Sequence, residues 1–212
     1  MTKLRHDIAL DMIQITDENY KNENKTADII VNSEKQYICV VFRGSREALD
    51  WRRNCQFCQH KIKGKIAIHT GFCKQLFASN LFVHMYTRLW WLMNQNPTYE
   101  LFITGHSSGG AIATLFGYLI APELTERQIQ IVSFASPRVG NLAFKQDFNK
   151  RTNLKHWRIT NQHDFIPRIP YFGFHHVGEQ ICIRKNSCIC CFKNYCNHMS
   201  NCYYKSLLDS VW

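Results

Sequence analysis

Leu4, Ile8, Met12 and Ile15 recur at helical spacing, which predicts a short amphipathic helix over residues 4–15. Residues 19–25 are polar and read as a loop. Two apolar, β-branched runs follow at 27–31 and 36–42, separated by Asn32-Ser33-Glu34-Lys35, which is a hairpin signal. The second run is apolar throughout, as a central strand buried on both faces would be. Residues 46–63 read as a mixed loop and 65–68 as a short strand. His69-Thr70-Gly71 opens a long helical pattern that ends at Asn96-Pro97, with Phe72, Leu76, Val83, Tyr86, Trp90 and Met93 on one stripe. The aromatic members of that stripe are expected in the core.

A β-prone run at 101–104 stops at Gly105, and a helix-like run with Ala111, Leu115 and Leu119 on one stripe continues to 120. Beyond Pro122, residues 128–134 and 156–160 predict strands and 142–148 a short helix. A last strand is expected at 178–183, and a short helix through Leu208 closes the chain. Strand and helix signals alternate, so the class is α/β with a central sheet. No internal repeat or low-complexity linker divides the 212 residues, which read as a single domain, 1–212.

The formal charge of +10 suits anionic lipid surfaces, nucleic acid or acidic partners. There is no long Lys/Arg block and no nucleic-acid motif, so a lipid surface ranks above nucleic acid. The amino terminus does not read as a secretory signal, and no stretch approaches the roughly 18 apolar residues of a membrane span. An intracellular setting, or a leader already removed, is the expectation. Of ten cysteines, Cys39, Cys55, Cys58 and Cys73 are scattered through the first half. Free thiols are the default for these four. The other six, Cys182, Cys188, Cys190, Cys191, Cys196 and Cys202, crowd the tail.

The candidate chemistry lies between the 101–104 run and the helix after it. Gly105-His106-Ser107-Ser108-Gly109 fits G-x-S-x-G, with small residues at Gly109, Gly110, Ala111 and Ala113. A nucleophile elbow needs that setting, because the serine sits on a sharp, strained turn whose flanks must lack bulk. Only Ser107 has glycines two residues to each side, so it is the candidate nucleophile. The following helix offers N–H groups and a positive dipole end to a developing oxyanion. Asp164, at the end of a late strand and before a Pro-rich turn, fits the acid of a triad in the order Ser, Asp, His.

Several further stretches agree at once: Val41-Phe42-Arg43-Gly44-Ser45, Asp50-Trp51-Arg52-Arg53-Asn54, His69-Thr70-Gly71-Phe72, Ser136-Pro137-Arg138-Val139-Gly140-Asn141, and residues 158–170 around Asp164. In this combination and order the chain resembles the class 3 lipases, the fungal-type branch of the α/β-hydrolases. The resemblance implies a mostly parallel central sheet flanked by helices, here in a compact variant with a Cys-rich C-terminal segment. It implies a Ser107, His198, Asp164 triad and an oxyanion hole from Ser45 and the Ser108 amide. The base is placed in Asn197-His198-Met199, near a Tyr pair, with His175 and His176 as rivals. The loop after Ser45 takes the place of the family's lid. Ser108 stands where the family usually has Leu, and the lid region is polar and basic.

The implied reaction is hydrolysis of a lipid ester of the triacylglycerol type through an acyl-enzyme, with no cofactor and transient contact with a lipid surface. A phospholipase A1-type or small-ester activity is an alternative. From another class, the chain could be an inactive hydrolase-fold protein or carry a structural zinc module built from Cys182, Cys188, Cys190, Cys191, Cys196, His198 and Cys202. Cys188 and Cys191 are not a clean C-x2-C pair, because Cys190 falls between them, and no metal site is expected.

Overall fold

A computed structural model describes residues 3–22, 25–44, 58–183 and 198–210. In chain order these form α1 (His6–Lys21), β1 (Ala27–Asn32), β2 (Tyr37–Phe42), β3 (Gln59–Lys63), β4 (Ile66–His69), α2 (Thr70–Phe77), α3 (Leu81–Gln95), β5 (Glu100–His106), α4 (Ser108–Ile120), β6 (Ile129–Phe134), α5 (Leu142–Asn149), β7 (Leu154–Asn161), β8 (Glu179–Ile183) and α6 (Ser200–Leu208).

Among the described residues, six strands make the main sheet, in the order β1-β2-β5-β6-β7-β8. β1 and β2 form the antiparallel hairpin that the apolar runs predict, and every later pairing is parallel. β2 is buried along its whole length. Its residues alternate between two cores, as the period of a strand requires. Ile38, Val40 and Phe42 pack with α2, α3, α4 and α5, while Tyr37, Cys39 and Val41 pack with α1 and α6. The sheet is therefore covered on both faces, the condition under which parallel strands can be apolar throughout. This is the α/β-hydrolase arrangement expected of the chain. Crossover connections return each parallel strand to the same edge, so β5, β6 and β7 all end where a site can be assembled.

Three expectations need correction. The first helix runs on to Lys21, through the start of the stretch read as loop, and buries Asn19. Residues 59–63, read as loop, form β3 and pair antiparallel with β4. Its five residues are all exposed, so the strand carries no buried alternation to betray it. The long helix from Thr70 is two helices. Ser79 and Asn80 take left-handed φ values of 49° and 58° and break it. The break resets the phase of the buried face to Met85, Leu89 and Met93. Trp90, expected in the core, is instead 56% exposed, and Val83 of the same stripe is 59% exposed.

This phase makes a prediction about stability. Leu89→Ala should cost about 2–5 kcal/mol, the usual range for truncating a buried Leu. Trp90→Ala should change stability by about 0.5 kcal/mol or less, as surface substitutions do. Urea unfolding of the two variants measures the difference.

Candidate active site

β5 and α4 meet at Ser107, whose φ of 58° and ψ of −128° lie outside the comfortable regions for a residue with a side chain. Crowding explains how the turn is held. A Cβ on Gly105 would stand 2.5 Å from the Gly109 carbonyl group and 2.8 Å from the Phe42 oxygen. One on Gly109 would collide with the Phe42 oxygen outright. One on Gly110 would press at 3.0 Å on Ser136 and on the Gly105 oxygen. The helix can therefore start against the ends of β2 and β5 only because these positions lack side chains. The Ser107 N–H donates to Phe134 O of β6 at 2.9 Å, which ties the turn to the neighbouring strand.

His198 lies across this turn. Its Nε2 is 2.9 Å from Ser107 Oγ, and its Nδ1 is 2.8 Å from Asp164 Oδ2. A carboxylate only accepts, so Nδ1 carries the hydrogen and Nε2 is left to accept from the serine hydroxyl. Asp164 follows β7 in the turn before a short helical segment at Ile166–Arg168. Its Oδ1 accepts from the Ile166 N–H at 2.9 Å, fixing the carboxylate from the other side. All three side chains are buried, Ser107 to 1% exposure. The arrangement can transfer a proton from Ser107 to His198 while the Asp164 charge steadies the resulting imidazolium.

Ser108, expected as an oxyanion donor, is the first residue of α4. Ser45, its expected companion, lies outside the described residues, as does most of the loop after it. His176 is not in the line: its ring donates to the Pro167 carbonyl at 2.6 Å. Burial and the nearby Arg158 push its pKa down to about 3. The other rival, His175, donates its backbone N–H to Gly140 O. Of the cysteines in the zinc alternative only Cys182 and Cys202 are described, and the described residues hold no cluster of three or more potential metal ligands.

The class 3 lipase family model matches residues 39–174. A secreted mono- and diacylglycerol lipase of Fusarium solani is 28% identical over 160 residues, covering 73% of this chain and 46% of that protein. A lipase of Rhizomucor miehei is 30% identical over 163 residues, covering 74% of this chain and 44% of its own. The chain thus spans less than half the length of these two relatives. Among solved structures, lipase II of Rhizopus niveus superposes with a TM-score of 0.74 at 21% identity, over 86% of this chain and 82% of that one. At that identity it speaks for the fold.

Two residues that sequence reasoning missed complete the site. His106 Nε2 faces the backbone oxygen of His198, and the two rings lie 4.7 Å apart. Burial and the neighbouring imidazole hold the His106 pKa well below its ordinary value, so it is neutral with its hydrogen on Nε2. It grips the main chain of the residue facing Ser107. Tyr203 Oη donates to Asp164 Oδ2 at 2.8 Å and accepts from the Asn161 N–H at 2.9 Å. Burial and the Asp164 charge raise the Tyr203 pKa well above the phenol range, which keeps the donor protonated. The Tyr pair near His198 was the one sequence signal for this role. Tyr203→Phe should strip one hydrogen-bond donor from the Asp164 carboxylate. A loss of about 1.5–3 kcal/mol is expected, the usual worth of a hydrogen bond to a charged group, read from the urea midpoint.

Proposed function

The chain belongs to the class 3 lipase family, and we propose that it hydrolyses carboxylic esters of lipids through an acyl-enzyme formed on Ser107. The observation that carries this reading is the unbroken polar line from Ser107 Oγ through His198 to Asp164, anchored on a serine with positive φ. In the reaction Ser107 Oγ attacks the ester carbonyl while His198 Nε2 takes its proton. The imidazolium then gives that proton to the departing alkoxide, so an alcohol leaves and the acyl group stays on Ser107. Water repeats the sequence with His198 as base and releases the acid. The Ser108 amide, at the positive end of α4, is the proposed donor to the tetrahedral oxyanion together with Ser45, and losing one such donor costs about 2.7–4 kcal/mol.

An acylglycerol is the substrate class that best suits the relatives' names. Contact with a lipid surface is supported by what surrounds the site. Phe165 and Met199 are exposed, one residue from Asp164 and His198 respectively, and Tyr171 and Phe172 are exposed in the loop that follows. Lys61, Lys63 and Lys65 stand exposed on the β3–β4 hairpin. Attraction to an anionic surface is worth roughly 1 kcal/mol per basic residue and is screened by salt.

Turnover of a p-nitrophenyl ester tests the chemistry. Ser107→Ala should fold and lose activity by at least ~10⁴-fold, the scale seen when a nucleophile of this kind is removed. His198→Ala should lose a comparable amount, while His176→Ala should keep a measurable fraction. Near-normal turnover by Ser107→Ala would end the serine mechanism, and loss only in His176→Ala would move the base to His176. Sedimentation with vesicles tests the surface. Binding should rise with the anionic lipid fraction and fall with salt, and neutralising Lys61, Lys63 and Lys65 to Gln should weaken it.

A further inference from the structure

Behind Asp164, at the ends of β7 and β8, lies a pocket of about 290 Å³. Arg138, Arg158, Arg168, His176 and Gln180 line it. Among the described residues Asp164 is the one carboxylate in its wall, and both of its oxygens are engaged by Ile166, His198 and Tyr203. Arg158 rises from β7 and is 8% exposed. Each of the three arginines reaches one backbone carbonyl: Arg138 that of Pro170, Arg158 that of Val177 and Arg168 that of Gln162. A guanidinium carries five N–H donors, so most remain available on each. Among the described residues none of the three is within ion-pair distance of a carboxylate.

The groups here feel one another as like charges. Burial and Arg138 bring the Arg158 pKa down to about 10. Burial, Arg158, Arg138 and Lys145 all hold His176 uncharged. A charge withdrawn from water this far without a counter-charge is expensive, and an arriving anion relieves that cost. Planar guanidinium forks match the oxygens of a tetrahedral oxyanion in a way a single ammonium does not.

We propose that this pocket binds a phosphate-type oxyanion, with Arg138, Arg158 and Arg168 as its donors. The same chemistry is offered by inorganic phosphate and by the phosphomonoester headgroup of phosphatidic acid. The pocket shares Asp164 with the triad but is lined by neither Ser107 nor His198, so its occupancy does not depend on hydrolysis.

The test is thermal unfolding of the full chain with inorganic phosphate, compared with acetate and chloride at equal ionic strength. Phosphate should raise the midpoint saturably and the other anions should not, in the parent protein and in Ser107→Ala alike. Arg138→Gln and Arg168→Gln should each weaken the apparent affinity roughly tenfold or more, as the loss of a charge-assisted hydrogen bond does. Both side chains are at least partly exposed, so these variants keep the test open if the more buried Arg158→Met fails to fold. Vesicles identify the source. Stronger binding to phosphatidic acid than to phosphatidylserine at matched charge, lost in the Arg138→Gln/Arg168→Gln double variant, assigns the pocket to a headgroup. A phosphate effect in solution without that preference assigns it to the free anion. Equal shifts with chloride or acetate, or a phosphate shift that survives in the double variant, would overturn the proposal.

Discussion

The close approach of three backbone segments governs this structure. The end of β2, the end of β5 and the start of α4 come within a distance that admits no Cβ at Gly105 or Gly109. That crowding holds Ser107 in its positive-φ turn, where its hydroxyl meets His198 Nε2. A strained residue persists only where its surroundings over-determine it, and here the determinants are main-chain atoms with nowhere to move. Gly44 belongs to the same constraint: a Cβ there would strike the Tyr20 hydroxyl and the His106 oxygen.

A second layer of order comes from α1 and α6, which cover one face of the sheet together. His6 Nε2 meets the Leu207 oxygen at 2.9 Å, and the Ser200 hydroxyl donates to Asp17 at 2.7 Å. Tyr20, on the last turn of α1, reaches the ring of His106 at 3.3 Å. His106 in turn grips the backbone of His198. A polar relay thus runs from the first helix through the elbow to the segment that carries the imidazole. Tyr203 closes it from the other end by joining Asp164 to the end of β7.

Much of this was legible in the chain. Strands β1, β2, β5 and β6 announced themselves because each is largely apolar over a short run and bounded by polar or Gly/Pro residues. The elbow was legible because its constraint is local, since small residues crowd one pentapeptide and the helix start after it. The convergence of Asp164 and His198 on Ser107 was expected from family likeness, since nothing in their spacing draws residues 34 apart together. The parts not read have physical reasons. β3 is exposed on both sides, so no periodicity marks it. The break at Ser79 and Asn80 shifts the helical phase without any proline or glycine to signal it. His106 passed as filler within the motif because its partner is a main-chain oxygen 92 residues away, which no side-chain pattern can encode.

The pairing of α1 with α6 also bears on how the chain comes to life. The contact from His6 to Leu207 spans 201 residues, and the imidazole facing Ser107 sits at 198. Synthesis proceeds from the amino end at roughly 5–20 residues per second. The sheet through β8 can therefore be made while the serine still has no His198 beside it. Only when α6 leaves the ribosome and finds α1 does the last element of the site arrive. From the synthesis of Ser107 to that of His198 the hydroxyl stands unprimed, and the long-range closure of α6 on α1 is what brings the reactive centre together.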